Sequence, residues 1–164
     1  MTRTSLLPIA AAPALAAALL AAPLAADGPR LVPIKDPVVA KECSACHMLY
    51  PAGLLPARSW AAITANLTDH FGDNAELDAA ATQRVADYLA ANAADSAKGS
   101  SRVLRGLGPA AVPTRITELP WWMQKHEKKD RVTPATLARK GAKFNGDCKA
   151  CHADAERGIF DDDE

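Results

Sequence analysis

The chain lacks most of the features that would assign it to a common functional class. Nineteen basic and nineteen acidic residues cancel, so no surplus of positive charge points to a nucleic-acid partner. Beyond residue 26, no apolar stretch approaches the length needed to cross a bilayer. No segment alternates apolar and polar residues as a half-buried strand does, and the expected fold class is therefore all-α. Residues that could ligate a transition metal through sulfur or imidazole are few: the chain has four Cys, four His and three Met. All four Cys fall in two five-residue stretches, Cys43-Ser44-Ala45-Cys46-His47 and Cys148-Lys149-Ala150-Cys151-His152.

Each stretch reads C-x-x-C-H, the attachment pattern of a c-type haem. Its chemistry follows from the residue types. Two thiols at this spacing can add to the two vinyl groups of one porphyrin, and the adjacent imidazole can then bind the iron from one face. A zinc site is the first competing reading, because C-x-x-C pairs also bind zinc. The wide separation of the pairs, and the His directly after each, argue against it. Disulfides are the second, and the twin pattern argues against them too. The expected cofactors are two covalently bound haem c groups.

The N-terminus supports that reading independently. Arg3 is the charge in Met1–Ser5, Leu6 to Ala26 is uncharged and rich in Ala and Leu, and the chain turns polar at Asp27. This is the pattern of a secretory signal peptide spanning 1–26, cleaved near Ala26. An uncleaved anchor is the alternative, but Pro8, Pro13 and Pro23 interrupt the stretch, and the small Ala25 and Ala26 favour cleavage. The expected location is the periplasm, with membrane contact limited to transient docking. Asn66-Leu67-Thr68 matches a glycosylation acceptor but falls inside a predicted helix and is read as chance.

A Gly-, Ser- and Pro-rich stretch without periodicity divides the remainder. The expected organisation is a first haem module at 27–92, a linker at 93–115 and a second haem module at 116–164. Residues 27–97 hold 5 basic and 9 acidic residues and residues 98–164 hold 13 and 10, an asymmetry able to steer a charged partner. Lys125, Lys128, Lys129 and Arg131 are either a solvated face or a docking patch, and Asp161 to Glu164 form an acidic tail expected to be disordered. Asp36 and Pro37 predict a helix running to His47, with Val39, Cys43 and Cys46 on one face. Ser59 is expected to cap a second helix carrying Trp60, Ile63, Leu67 and His70 on one stripe. Asp78 caps a third helix to about Asn92, with Ala81, Val85, Tyr88 and Leu89 inward. Thr117 begins a short helix to about Lys128, Thr133-Pro134 another. Asp147 caps the helix of the second motif, which stops near Gly158.

Two haem irons have four axial positions, and the chain has four His. His47 and His152 belong to the motifs. His70 and His126 fall one in each module, each on an apolar stripe. Both haems are therefore expected to be bis-histidine, pairing His47 with His70 and His126 with His152. A lone His on such a face is more often a core residue, but the count and placement favour ligation here. Met123 competes with His126, since His/Met ligation is common in c-type cytochromes. Met48 follows His47 directly and cannot reach the opposite face of the same haem. A crossed pairing remains open. Trp60, Phe71 and Tyr88 are expected to pack the first porphyrin, and Trp121, Trp122 and Phe144 the second, although plain core packing explains a buried Trp equally well.

The chain resembles the bacterial dihaem cytochromes c. The likeness rests on CSACHMLYPAGLLPARSW (Cys43 to Trp60), HFGDNAELD (His70 to Asp78), YLAANAAD (Tyr88 to Asp95), RITELPWW with the following His126, and CKACHADAERGIF (Cys148 to Phe160). It implies an N-terminal module similar to a class I cytochrome c, a less regular second module, and His70 and His126 as distal ligands. It also implies single-electron transfer in the periplasm and no enzymatic activity. The implied partners are redox proteins such as a membrane b-type cytochrome or a small oxygen-binding haem protein. The chain departs from the family pattern in ending soon after Phe160. The alternative function is a haem enzyme or gas sensor, which needs one open or displaceable axial position.

Overall fold

A computed structural model describes Met1, residues 28–127 and residues 131–161 of the chain. The expected leader beyond Met1, Lys128 and Lys129 of the basic run, and Asp162 to Glu164 lie outside the described residues. The described chain is all-α. It contains α1 (Pro37–Cys43), α2 (Ala57–Thr64), α3 (Ala79–Ala91), α4 (Pro120–His126) and α5 (Pro134–Lys140), joined by loops and short 3₁₀ turns. Among the described residues, β-pairing is limited to two isolated bridges, Arg30 with Ile159 and His70 with Asp73.

Local chemistry explains several helix starts. Asp36 Oδ1 accepts the Val38 and Val39 amides at 3.0 and 3.2 Å, and Pro37 occupies the first turn of α1. Arg84 on α3 binds the same carboxylate at 2.8 Å, which ties α1 to α3 and holds the Asp36 carboxyl below its usual range. Asp78 caps α3 through the Ala81 amide at 2.8 Å, and Thr133 caps α5 through the Thr136 amide at 3.1 Å.

Ser59 does not cap α2. The helix starts two residues earlier, and Ser59 is fully buried inside it. The first-turn amide of Ala57 donates instead to Asp95 Oδ1 at 2.8 Å, so a carboxylate 38 residues away satisfies the helix end. Arg58 reinforces the same junction through Asp95 at 3.4 Å and the Ala111 carbonyl at 2.6 Å.

One core runs through most of the molecule. Val39, Ala52, Leu55, Trp60, Val85 and Leu89 pack in a single cluster with Ala93, Ala94, Val103, Leu119, Trp121 and Trp122. The stretch 93–115 thus contributes three side chains to the core, and α4 sits on it through both of its Trp. Trp60 is buried, and its indole N–H donates to the Ala52 carbonyl at 2.7 Å. Burying each such aromatic contributes about 1.5–3 kcal/mol.

The C-terminal stretch is held differently. The Leu31 amide donates to the Gly158 carbonyl at 2.8 Å, beside the Arg30–Ile159 bridge. Gly158 has φ +76°, and a Cβ there would lie 2.0 Å from the Leu31 carbonyl oxygen. This close approach of two backbones requires glycine.

Candidate functional site

The first motif begins where α1 ends. Ser44 closes the helix, its amide donating to Ala40 at 3.2 Å, so Cys43 is the last helical residue and the helix does not reach His47. Cys46 lies beyond the helix and is exposed, off the face that Val39 and Cys43 share. Burial, then the neighbouring Glu42 charge, raise the Cys43 thiol above its ordinary range.

His70 is not on an amphipathic helix. α2 ends at Thr64, a 3₁₀ turn covers Leu67–Asp69, and the Asn66 side chain bonds back to the Asp69 carbonyl at 3.4 Å. Asn competes for backbone groups in this way and breaks helices. Asn66-Leu67-Thr68 therefore follows the helix instead of lying inside it. His70 opens a two-residue hairpin: its amide donates to the Asp73 carbonyl at 2.7 Å, and the Asp73 amide returns to His70 at 3.2 Å. The turn residues Phe71 and Gly72 both have positive φ, +60° and +102°. For Phe71 this left-handed conformation costs about 1–3 kcal/mol. The Arg115 guanidinium stacks over the Phe71 ring at 4.2 Å and offsets part of that cost.

This turn brings the His70 ring against His47, with centroids 6.2 Å apart and planes inclined by 28°. The second pair has the same separation. His126 and His152 lie 6.2 Å apart with their planes at 89°. The ring contacts join His47 with His70 and His126 with His152. Met123 packs against the core cluster, whereas His126, at the end of α4, faces the second motif.

The spacing fits an iron between each pair. Two metal–nitrogen bonds of about 2 Å, plus roughly 1 Å from each nitrogen to its own ring centre, give roughly 6 Å. The tautomers fit as well. His47 Nδ1 lies 2.7 Å from the Met48 carbonyl, His126 Nδ1 2.9 Å from Trp122, and His152 Nδ1 2.8 Å from Asp161. A carbonyl only accepts, so each neutral ring carries its proton on Nδ1 and its lone pair on Nε2, the tautomer that suits metal binding. The Trp122 ring stacks on His126 at 4.4 Å and 14°, fixing its plane. Burial, then the nearby His47, lower the His70 pKa, with Arg115 acting in the same direction and Asp73 against it. The neutral imidazole that results is the form able to bind iron.

The second motif is not on one helix. Cys148–Ala150 and Ala155–Arg157 are separate 3₁₀ turns, and Asp147, the expected cap, turns its carboxylate back to the Lys143 amide at 3.1 Å. Gly158 does stop the segment, in the left-handed conformation. Burial dominates in pushing the Cys148 thiol up to about 11. All four Cys are free, and no group of three or more His, Cys, Asp or Glu is placed to hold a bare metal ion among the described residues.

The aromatic residues divide unexpectedly. Trp60, Trp121 and Trp122 are core, and the Tyr88 hydroxyl accepts the Lys35 amide at 3.2 Å. Phe71 and Phe144 are about half exposed, at 45% and 49%. Two aromatics not assigned from the sequence adjoin the motif histidines: Tyr50, 4.9 Å from the His47 ring, and Phe160, 5.8 Å from His152. Tyr50 follows His47 by three residues, which was its available signal.

The comparisons with known proteins agree on the family. The family model described as dihaem cytochrome c matches residues 39–160. The chain belongs to the dihaem cytochrome c family. A dihaem cytochrome c structure from Rhodobacter sphaeroides is 52% identical, with a TM-score of 0.70, covering 79% of this chain and 99% of that one. A second structure from that organism is 48% identical at a TM-score of 0.64, covering 79% and 100%. A dihaem cytochrome c from Shewanella baltica is 38% identical at 0.58, covering 76% and 86%. No curated protein matches the chain. As a dihaem cytochrome c, the protein carries two covalent haem c groups and serves haem-based electron transport.

Proposed function

We propose that this dihaem cytochrome c is a periplasmic single-electron carrier whose two irons are each bound by two histidines. Cys43 and Cys46 would hold the first haem between His47 and His70. Cys148 and Cys151 would hold the second between His126 and His152. The observation that carries the proposal is the pair of 6.2 Å ring separations, with a carbonyl on Nδ1 placing the lone pair on Nε2 in three of the four rings. A haem filled on both faces supplies reversible one-electron redox chemistry and leaves no iron position for a substrate. The chain's own residues orient the imidazoles through carbonyls on Nδ1, and burial favours the neutral form of His70. Two His ligands also set a lower potential than His/Met ligation does. Export through a cleaved leader, and a membrane b-type cytochrome or a small oxygen-binding haem protein as partner, rest on the sequence and the family likeness. Co-purification from periplasmic and membrane fractions tests the partner.

One observation favours a second reading at the first haem. The His70 ring has no hydrogen bond among those described, unlike His47, His126 and His152. A ligand held by ring packing on Phe71 without a hydrogen bond leaves more easily, which would give a gas-binding first haem. Optical spectra of the reduced protein with and without carbon monoxide decide between them. The carrier leaves both haems unchanged; a shifted Soret band from one haem establishes the second reading.

A further inference from the structure

We propose that Tyr50 is the positioning residue that links the two haem sites, fixing the second motif against the first and providing a hydrogen-bonded route for electrons between them. The inference rests on the two-haem reading above. The Tyr50 ring lies 4.9 Å from the His47 ring, inclined by 44°. Its hydroxyl donates to the Gly146 carbonyl at 2.7 Å, across 96 residues of sequence. That carbonyl also accepts the Cys148 amide at 2.9 Å. A path of one ring contact and two hydrogen bonds therefore runs from the His47 ring through the phenol and one carbonyl to a haem-bearing cysteine.

Both ends of the path are held. Pro51 to Pro56, directly after Tyr50, are all buried, and Trp60 binds the Ala52 carbonyl within this stretch. At the other end, a Cβ on Gly146 would lie 2.8 Å from the Phe144 ring and 3.5 Å from the Tyr50 hydroxyl oxygen. Glycine there makes room for the Phe144 ring, while the phenol oxygen sits at ordinary contact distance. A phenol hydroxyl carries its proton at neutral pH and so donates to the carbonyl. Electron coupling falls off faster across a van der Waals gap than along bonds and hydrogen bonds. Loss of the hydroxyl therefore breaks the route while the ring still packs on His47.

The test is Tyr50→Phe in the full two-haem protein. Mass spectrometry first counts the haems. Fewer than two in the native protein would refute the two-haem reading, a failure separate from that of the Tyr50 link. With two haems in both forms, the link predicts several-fold slower electron exchange between haems in the half-reduced protein, read from NMR line broadening. It also predicts roughly fivefold faster hydrogen exchange at the Cys148 amide, the consequence of losing one neighbouring hydrogen bond. An unchanged inter-haem rate overturns the proposal, whatever happens to stability. Should Tyr50→Phe not retain both haems, the native protein still decides. A slowly exchanging Tyr50 hydroxyl proton with magnetisation transfer to Gly146 supports the link, and failure to find one rejects it.

Discussion

The two motif sites have the same His–His ring separation but different foundations. The first stands on packed helices: α1 buries Val39 just before Cys43, α2 buries Trp60, α3 buries Val85 and Leu89, and the stretch after the motif is buried from Pro51 to Pro56. The second stands on loops. Between Arg131 and Asp161 only Ala155 and Gly158 are buried, and α5 buries nothing. That segment is held by the Leu31–Gly158 hydrogen bond, by Tyr50 and by the packing of Val132 against the core cluster. So little apolar burial cannot offset the backbone entropy of ordering about thirty residues, at roughly 1–2 kcal/mol each. The covalent porphyrin is thus a structural element at the second site and an addition to an existing core at the first.

The largest expected effect follows from this contrast. Replacing Cys148 and Cys151 by Ser, which removes the second haem, should leave 131–161 unprotected in hydrogen exchange while α1 to α4 stay protected. Retained protection of 131–161 would mean that the segment has a core of its own. Next in size is Trp122→Ala, which removes a buried ring from the shared core and the plate on which His126 stacks. It should cost about 3–5 kcal/mol in denaturant unfolding, together with a partly high-spin second haem. A loss of stability with the second haem's spectrum unchanged would separate the core from the site.

Ligand removal sharpens the comparison further. His70→Ala and His126→Ala should each open one haem, made visible as one carbon-monoxide-reactive centre per variant with both haems attached. If His126→Ala leaves both irons low-spin, Met123 or another group has taken the position. The smallest effect is on acidification, where a proton competes with iron for each distal imidazole. An acid titration of the optical spectrum should keep both haems low-spin at pH values just below about 6.5, the ordinary imidazole range. Loss of the low-spin form beginning above that pH would contradict imidazole ligation.

What could be read in the sequence followed from local chemistry. Asp36-Pro37, Asp78, Thr133-Pro134 and Gly158 act on their own neighbours, and each starts or stops an element where expected. What could not be read depended on contacts across the fold. Ser59 loses its capping role to Asp95, which only the fold brings near. Asp147 is diverted to Lys143, so the expected helix breaks into two turns. His70 was selected by count and by an apparent helical stripe. It reaches His47 through a Phe-Gly turn, a pairing without the usual Asn-Gly or Asp-Gly mark. The two cysteine motifs identified the chemistry because covalent attachment is itself local.

Low-temperature electron paramagnetic resonance of the fully oxidised protein bears most directly on the four-imidazole arrangement. The expected spectrum has two low-spin signals of equal weight. One is rhombic, from the pair inclined by 28°, and the other has a large maximal g value, from the pair at 89°. A high-spin signal from either iron, at rest and near neutral pH, would contradict it.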